Sequence, residues 1–257
     1  MVLATRATPV SVIWHDLECG GYRADLELWR ELADASQSTD TTVPLLDVGA
    51  GSGRVTLDLI RAGHRVTAID LDGELLDALL RRAGPRAPET IRADARRLEL
   101  ARRDHALCLV PMQTIQLLGG ESGRGAFLRR AREHLRPGGL LACAIVTDLE
   151  PFDCAGAEIG PTPETVRVDG VTYISSAVRV AVDRHTIEIE RERRVVPAAS
   201  AGRTAEQTLE RNVIGLNRLS AARLRREGRR VGLQPAGTRT IAATDEHVGS
   251  EVVLLRA

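Results

Sequence analysis

The sequence contains no lysine; all 35 of its basic residues are arginine. That absence removes the Schiff-base amine of pyridoxal phosphate chemistry and the phosphate-loop lysine of nucleoside triphosphatases. Aromatic residues make up only 2% of the chain, too few for the stacking platforms that grip single-stranded nucleic acid. Four cysteines, Cys19, Cys108, Cys143 and Cys154, form no CxxC pair and no zinc spacing, so reduced, mostly buried thiols and no metal site are expected. No apolar run approaches the ~20 residues of a membrane helix. The first residues lack the charged start and apolar stretch of a secretory signal, and a cytoplasmic protein is expected. The 35 acidic residues balance the 35 basic ones, so no global field draws the chain to nucleic acid or to an anionic membrane.

What is present is apolar patterning. Some 43% of the 257 residues are hydrophobic, enough for a large core. Between Leu45 and Val146, short apolar runs alternate with stretches of helical spacing. Leu45–Val48, Val66–Ile69, Glu89–Arg92, Ala106–Val110 and Leu140–Val146 read as strands. Val55–Ala62, Glu74–Ala83 and Phe127–Leu135 read as helices. This alternation predicts βαβ units and a parallel sheet. After Asp148 the pattern changes. Val166–Val168 and Val171–Val182 flank Asp169-Gly170, a hairpin turn signal. A further turn near Asp183 leads to the alternating stretch Thr186–Val196, a half-exposed antiparallel strand. Ser220 reads as the N-cap of a helix running to about Arg230, followed by strands near Ala236–Ala243 and Ser250–Leu255. The expected organisation is an N-terminal helical arm or lid over 1–42 and a core over 43–149. An antiparallel cap over 150–215 and a closing helix with two strands over 216–257 complete it. The cap strands offer an edge for pairing with a second copy.

The chemistry-bearing stretch is Asp47-Val48-Gly49-Ala50-Gly51-Ser52-Gly53, between a strand and a helix. Tight turns need residues without Cβ, and the helix that follows presents free N–H groups. Asp70 ends the next strand, where Rossmann-type folds place an acid for ribose hydroxyls. Asp94 follows the third strand in Arg92-Ala93-Asp94-Ala95. Leu135-Arg136-Pro137-Gly138-Gly139 is helix-stop and turn chemistry before a buried strand.

In this order and spacing, the four parts resemble the class I S-adenosylmethionine-dependent methyltransferases. The resemblance covers about 45 to 147 well. It implies a Rossmann-like α/β fold with a seven-stranded, mostly parallel sheet whose last strand is antiparallel. It implies S-adenosylmethionine as cosubstrate, held by Asp47, Gly49, Ala50, Gly51, Asp70, Leu71, Asp94, Ala95 and Val110. Asp94 would accept from the adenine amine, with Ala95 supplying main chain. Strand four runs into Val110-Pro111-Met112-Gln113-Thr114, without the Asn/Asp-Pro-Pro-aromatic motif of enzymes methylating nucleic-acid amines. The cap after strand five resembles small-molecule methyltransferases, so a small-molecule acceptor is expected.

No catalytic residue is assigned, because displacement at a sulfonium asks mainly for proximity and alignment. Ligands in such sheets bind at the carboxyl ends of the strands. His64 and His105 precede their strands and fall at the other edge. His134 sits late in a helix, where a C-cap contact is the ordinary reading, and His185 lies at a cap turn. His247 follows the penultimate strand on the productive edge and is the best candidate base, against the plainer reading of a loop histidine. Gln113 and Gln116 share that edge, as substrate-orienting amides or as capping residues. On the arm, His15 is a candidate to reach the mouth, and Tyr22 and Trp29 read either as a cover for the cofactor or as packing. Three other readings were weighed. A nicotinamide or flavin enzyme wants a third glycine where Arg54 stands. A hydrolase elbow at Gly120-Glu121-Ser122-Gly123-Arg124 lacks its last glycine. A protein that binds the sulfonium without transferring the methyl has the same loop.

Overall fold

The structure is a computed structural model that describes residues 7–37, 42–147, 149–154, 161–198, 207–244 and 247–257. Asp148, after which the sequence pattern changes, lies outside the described residues. The chain divides into two compact units. One comprises Tyr22–Leu149, Asp183–Ile187 and Gly215–Ala257; the other comprises Met1–Gly21, Glu150–Val182 and Glu188–Ile214. The two helices of the N-terminal arm are therefore in different units.

The smaller unit opens with α1 (Val10–Cys19) and continues in an antiparallel sheet. The larger unit begins with α2 (Leu26–Ser36). It then alternates β1 (Leu45–Val48), α3 (Arg54–Arg61), β2 (Val66–Asp70), α4 (Gly73–Ala83), β3 (Glu89–Arg92), β4 (His105–Val110), α5 (Gly120–His134) and β5 (Leu135–Ile145). The smaller unit's sheet is β6 (Phe152–Asp153), β7 (Glu164–Val168), β8 (Val171–Val182), β9 (Thr186–Val196) and β10 (Thr208–Asn217), the last two strands crossing between the units. The larger unit closes with α6 (Ala221–Arg230), β11 (Gln234–Ile241) and β12 (Ser250–Arg256).

The larger sheet has seven strands in the order β11-β12-β5-β4-β1-β2-β3. β12 runs antiparallel to both β11 and β5, and the remaining pairs are parallel. This is the seven-stranded arrangement expected from the sequence. The chain moves outward from β1 through β2 to β3, then returns to the other side of β1 for β4. Strand order thus reverses between β1 and β4, the place where open α/β sheets bind ligands.

Alternation along each strand sends successive side chains to opposite faces. Leu45 packs with α2 and α3 residues such as Trp29, Leu32, Leu57 and Leu59. Leu46 and Val48 pack on the other face with Phe127, Leu128 and Leu224. By the same alternation Asp47 falls on the α3 face.

Several local expectations change in detail. The Pro-Gly-Gly segment does not lie between helix and strand: α5 ends at His134 and β5 already pairs at Leu135, opposite His105. The next partners are Leu107 and Leu140, so Arg136–Gly139 is looped out inside the ladder. Gly138 adopts φ +76°, and its N–H donates to the Ala257 carbonyl at 2.9 Å. His105 is the first residue of β4 rather than its predecessor, and it is fully buried. His134 is also fully buried; its ring contacts the carbonyls of Arg102 and Leu98 and accepts the Leu100 N–H. It therefore fastens the β3–β4 connection to α5 instead of dressing a surface helix end. Ser122 is inside α5, whose N-cap is Gly119.

A buried ion pair joins the last two helices of this unit. Arg124 and Glu227 are 1% and 4% exposed. Both guanidinium contacts, Nε to Oε2 and Nη2 to Oε1, measure 2.7 Å. Ser220 caps α6 as expected, its hydroxyl accepting the Arg223 N–H at 3.2 Å.

In the smaller unit the Asp169-Gly170 turn has φ values of +49° and +82°, the left-handed pair a two-residue hairpin needs. Trp14 of α1 meets Tyr173 of β8 edge to face at 5.3 Å. Glu18 of α1 accepts Ser175 Oγ at 2.7 Å and both Nε and Nη2 of Arg193 at 2.8 and 2.7 Å. Burial opposes its ionisation, but these hydrogen bonds and the charges of Arg193 and Arg191 bring its pKa below the usual carboxylate value.

Candidate functional site

The parallel pairing sets the carboxyl ends of β1, β2, β3 and β4 along one edge: Val48 opposes Ile69, Asp70 opposes Arg92, and Asp47 opposes Leu109. The loop 49–53 leaves that edge at its centre. Gly49, Gly51 and Gly53 adopt φ values of +75°, +54° and +97°, a region L-residues rarely visit. Close approach adds a second requirement at both ends. A Cβ on Gly49 would lie 2.6 Å from the Thr114 side chain, and one on Gly53 would lie 2.2 Å from Leu79 Cδ1.

The loop is pinned from β2. The N–H groups of Gly49 and Ala50 donate to the Ile69 carbonyl at 2.9 and 3.0 Å. The Gly51 N–H donates to Asp70 Oδ2 at 2.8 Å, while Asp70 Oδ1 accepts the Asp72 N–H at 2.9 Å. Two parts of the motif, 19 residues apart in sequence, are thus directly bonded. Leu71, next along, is 61% exposed, an apolar surface open beside that carboxylate. Arg92 reaches back over β2, donating from Nε to the Leu71 carbonyl at 3.0 Å.

Asp47 lies beneath the loop, fully buried. Its Oδ2 accepts the Thr56 hydroxyl at 2.6 Å, while Oδ1 has no partner. Burial is the main cause that pushes its pKa up to about 7; Thr56 and Arg54 oppose the shift, and Asp70 and Asp25 add to it. An unsatisfied buried carboxylate oxygen is costly, and such groups cluster at functional sites.

Asp94 caps a short 3-10 turn. Its carboxylate accepts the Arg96 N–H at 2.9 Å and a forked contact from the Arg96 guanidinium at 2.8–3.0 Å. The Arg96 fork is the main cause that lowers its pKa. Ala95 is buried beside it. Val110 ends β4 with its side chain wholly in the core, so its main chain is what faces the edge. Two residues on, Met112 holds φ +53°, an uncommon conformation for this side chain.

The remaining candidates separate. Gln116 is fully buried, donating to the Val146 and Asn217 carbonyls at 3.1 and 3.0 Å and accepting the Val146 N–H at 2.8 Å. It is a backbone clamp, not a substrate amide. Gln113 precedes the 3-10 turn Thr114–Leu117 as its N-cap, with no side-chain cap bond. His64 bonds Gln37 at 2.6 Å at the opposite edge of the sheet, and His185 is exposed at its turn. His247 meets the ring of Tyr22 edge on at 4.9 Å. Tyr22 is 7% exposed, and burial raises its pKa, opposed by Arg54 and Ser250. His15 belongs to the smaller unit. All four cysteines are free thiols, and no metal-binding cluster occurs among the described residues. No described helix is long and apolar enough to cross a membrane.

Residues that motif reading missed complete the site. Thr56 holds Asp47, and Arg54 is held by Asp25 through contacts of 2.5 and 2.7 Å. In the sequence Arg54 stands out only as the residue that spoils a nicotinamide fingerprint. Spacing gives no signal for its partner, 29 residues away.

Comparison with known proteins gives consistent findings. The profile of a methyltransferase domain matches residues 45–139. The cypemycin N-terminal methyltransferase of a Streptomyces species is 34% identical over 118 residues, 44% of this chain and 46% of that protein. The chain thus spans about half the length of that relative. The "Probable cobalt-precorrin-6B C(15)-methyltransferase (decarboxylating)" of Methanothermobacter thermautotrophicus is 30% identical over 157 residues, 57% of this chain and 72% of that one. Among solved structures, the sugar N-methyltransferase KedS8 from a Streptoalloteichus species superposes with a TM-score of 0.70 at 17% identity, covering 98% and 96% of the two chains. The amino pentose methyltransferase CalS10 from Micromonospora echinaspora gives 0.66 at 18% identity, covering 97% and 98%. At these identities the structural likeness speaks to the fold.

Proposed function

The chain belongs to the S-adenosylmethionine-dependent methyltransferases, and from that premise we propose that it transfers a methyl group from this cosubstrate to an amine nitrogen of a small molecule. The observation that carries the reading is the glycine loop bonded through its Gly51 N–H to Asp70, at the edge where strand order reverses. The residues present fit the cosubstrate. Asp70 lies beside exposed Leu71, where a carboxylate for ribose hydroxyls and an apolar surface for a base adjoin. Positive φ at Gly49, Gly51 and Gly53 holds the loop backbone in a turn that residues with a Cβ rarely adopt. Buried Asp47, its Oδ1 unpartnered, places an ionisable carboxyl under a loop that is to receive a cation.

In this proposal Asp47, Gly49, Ala50, Gly51, Asp70, Leu71, Asp94, Ala95 and Val110 hold the cosubstrate. When bound, it supplies a methyl group already activated on a sulfonium. The chain's work is to hold the donor against the β1–β4 edge and to keep that methyl in line with the acceptor. Asp94 accepts from adenine once its fork with Arg96 opens or shares an oxygen. A neutral amine attacks without prior loss of a proton, so no strong base is required. Among the described residues, Gln116 is committed to backbone and His247 meets the Tyr22 ring. The amine assignment is further supported by the similarity to the cypemycin N-terminal methyltransferase and the sugar N-methyltransferase KedS8.

The test is incubation of purified protein with S-adenosylmethionine and paired panels of amino sugars, peptide amines and their hydroxyl counterparts, read by mass spectrometry. The proposal expects a one-methyl mass gain confined to amines. Methylation of hydroxyl compounds alone would refute the amine assignment; binding without turnover on any panel would favour a non-transferring sulfonium-binding protein.

A further inference from the structure

Arg54 follows the last glycine of the loop and is the first residue of α3. A cation there opposes the helix dipole, which favours negative charge at an N-terminus. Its side chain is only 7% exposed, so its charge cannot be left to solvent. Asp25, immediately before α2 and 1% exposed, takes it up: Arg54 Nη1 donates to Oδ1 at 2.5 Å and Nη2 to Oδ2 at 2.7 Å. Three further contacts fix the pair. Trp29 Nε1 donates to Asp25 Oδ2 at 2.8 Å. Arg54 Nη1 donates to the Tyr22 carbonyl at 3.0 Å, and its guanidinium lies 5.1 Å from the Tyr22 ring centroid. One short stretch, 22–29, thus both packs Leu26, Leu28 and Trp29 into the core and receives the Arg54 guanidinium.

The pair sits among other charges. Arg54, Asp25 and Asp70 all act electrostatically on Asp47. With Asp25 cancelling Arg54, the ionisable groups left beside the loop are the carboxyls of Asp47 and Asp70 and the Arg82 guanidinium, whose Nη1 donates to the Ser52 carbonyl at 3.3 Å. Removing either partner of the pair changes the net charge of this set by one unit. Without Asp25, a buried cation would adjoin the loop directly.

We propose that Asp25 is the counter-ion that silences Arg54 beside the glycine loop, and that this pairing sets the site's preference for cationic S-adenosylmethionine over its neutral thioether product, S-adenosylhomocysteine. Asp25 touches no ligand in this account; it is a positioning residue acting through Arg54. The inference rests on the methyltransferase reading above. It has a consequence that a purely structural clamp lacks, because its effect depends on the sign of the charge removed. At separations on the order of 10 Å and an effective dielectric of about 20, one unit charge changes the affinity of a singly charged ligand by roughly tenfold.

The experiment is isothermal titration of wild type, Asp25→Asn and Arg54→Gln with S-adenosylmethionine and with S-adenosylhomocysteine. Asp25→Asn is expected to shift the affinity ratio about tenfold toward the homocysteine, because Arg54 is left uncancelled. Arg54→Gln is expected to shift it toward the methionine, because Asp25 is left uncancelled. Each variant checks the proposal alone should the other fail to fold, and the double variant is expected to return the ratio to the wild-type value. Equal weakening of both ligands in either variant would overturn the proposal and leave Asp25 a structural clamp. Failure of wild type to bind either ligand is a separate result, and removes the methyltransferase reading together with the inference.

Discussion

Asp47 keeps a carboxylate where water does not reach, and its titration is the residue-scale signature of the site. The unfolded chain releases this proton near the ordinary aspartate value, whereas the folded chain holds it to about pH 7. Between about pH 4 and pH 7 the folded state therefore binds the extra proton, and stability from this group is lost as the pH rises through that window. Urea denaturation across it is expected to show a fall of a few kcal/mol in wild type relative to Asp47→Asn, in which this contribution is flat. Equal slopes in the two proteins would mean that Asp47 ionises normally. Motif reading found Asp47, Asp70 and the glycines because a turn needing positive φ leaves its mark in adjacent residues. It did not find the Thr56 hydroxyl that holds Asp47, since nothing in a helix sequence says which turn faces a neighbouring strand. The role of Asp94 illustrates the other limit: its position was legible, but the Arg96 fork that occupies its oxygens was not.

Elements were legible where their signal is local. The β-branched and apolar runs of the parallel strands, the Asp169-Gly170 turn and the Ser220 cap each carry their physics within a few residues. β10 escaped because Thr208–Val213 shows little apolar alternation; it is a largely exposed edge strand whose pairing with β9 defines it. The start of β5 escaped because Pro-Gly-Gly, normally punctuation between elements, is accommodated here as a loop inside a ladder. Contacts between elements were the least legible. Arg124 and Glu227 are 103 residues apart, and each alone reads as an ordinary surface charge of a helix. Arg124→Met takes two guanidinium contacts from buried Glu227, leaving it the Arg223 Nε contact at 3.1 Å, and is expected to destabilise the protein by about 3 kcal/mol, while pairing it with Glu227→Leu recovers most of the loss. Chemical denaturation of the single and double variants checks this; a double variant no more stable than Arg124→Met would show that the pair is not an isolated unit.

At the scale of the whole chain, the order β11-β12-β5-β4-β1-β2-β3 gathers the ends of four strands from separate stretches of sequence around one reversal point. Strand order is a tertiary fact, and the expectation of one antiparallel strand came from resemblance rather than from periodicity. Open doubly wound sheets also serve nicotinamide enzymes, and what separates the readings is the antiparallel β12 between β5 and β11 together with the loop. Arg54 occupies the position of a third glycine, and its buried pairing with Asp25 shows that a side chain is built into the site there. The partition into two units further shows that the N-terminal arm is two helices with different neighbours, α1 on the antiparallel sheet and α2 on the core of the larger unit.

The central claim is that the glycine loop and Asp70 form a site for the sulfonium cosubstrate. Its most direct test is isothermal titration of wild type and Asp70→Ala with S-adenosylmethionine, S-adenosylhomocysteine and NAD. We predict saturable one-site binding of both sulfur compounds to wild type, no binding of NAD, and at least ~tenfold weaker binding to Asp70→Ala, as expected for loss of charge-assisted hydrogen bonds. Well-folded wild type that binds neither sulfur compound, or a folded Asp70→Ala variant that binds them as wild type does, would contradict it.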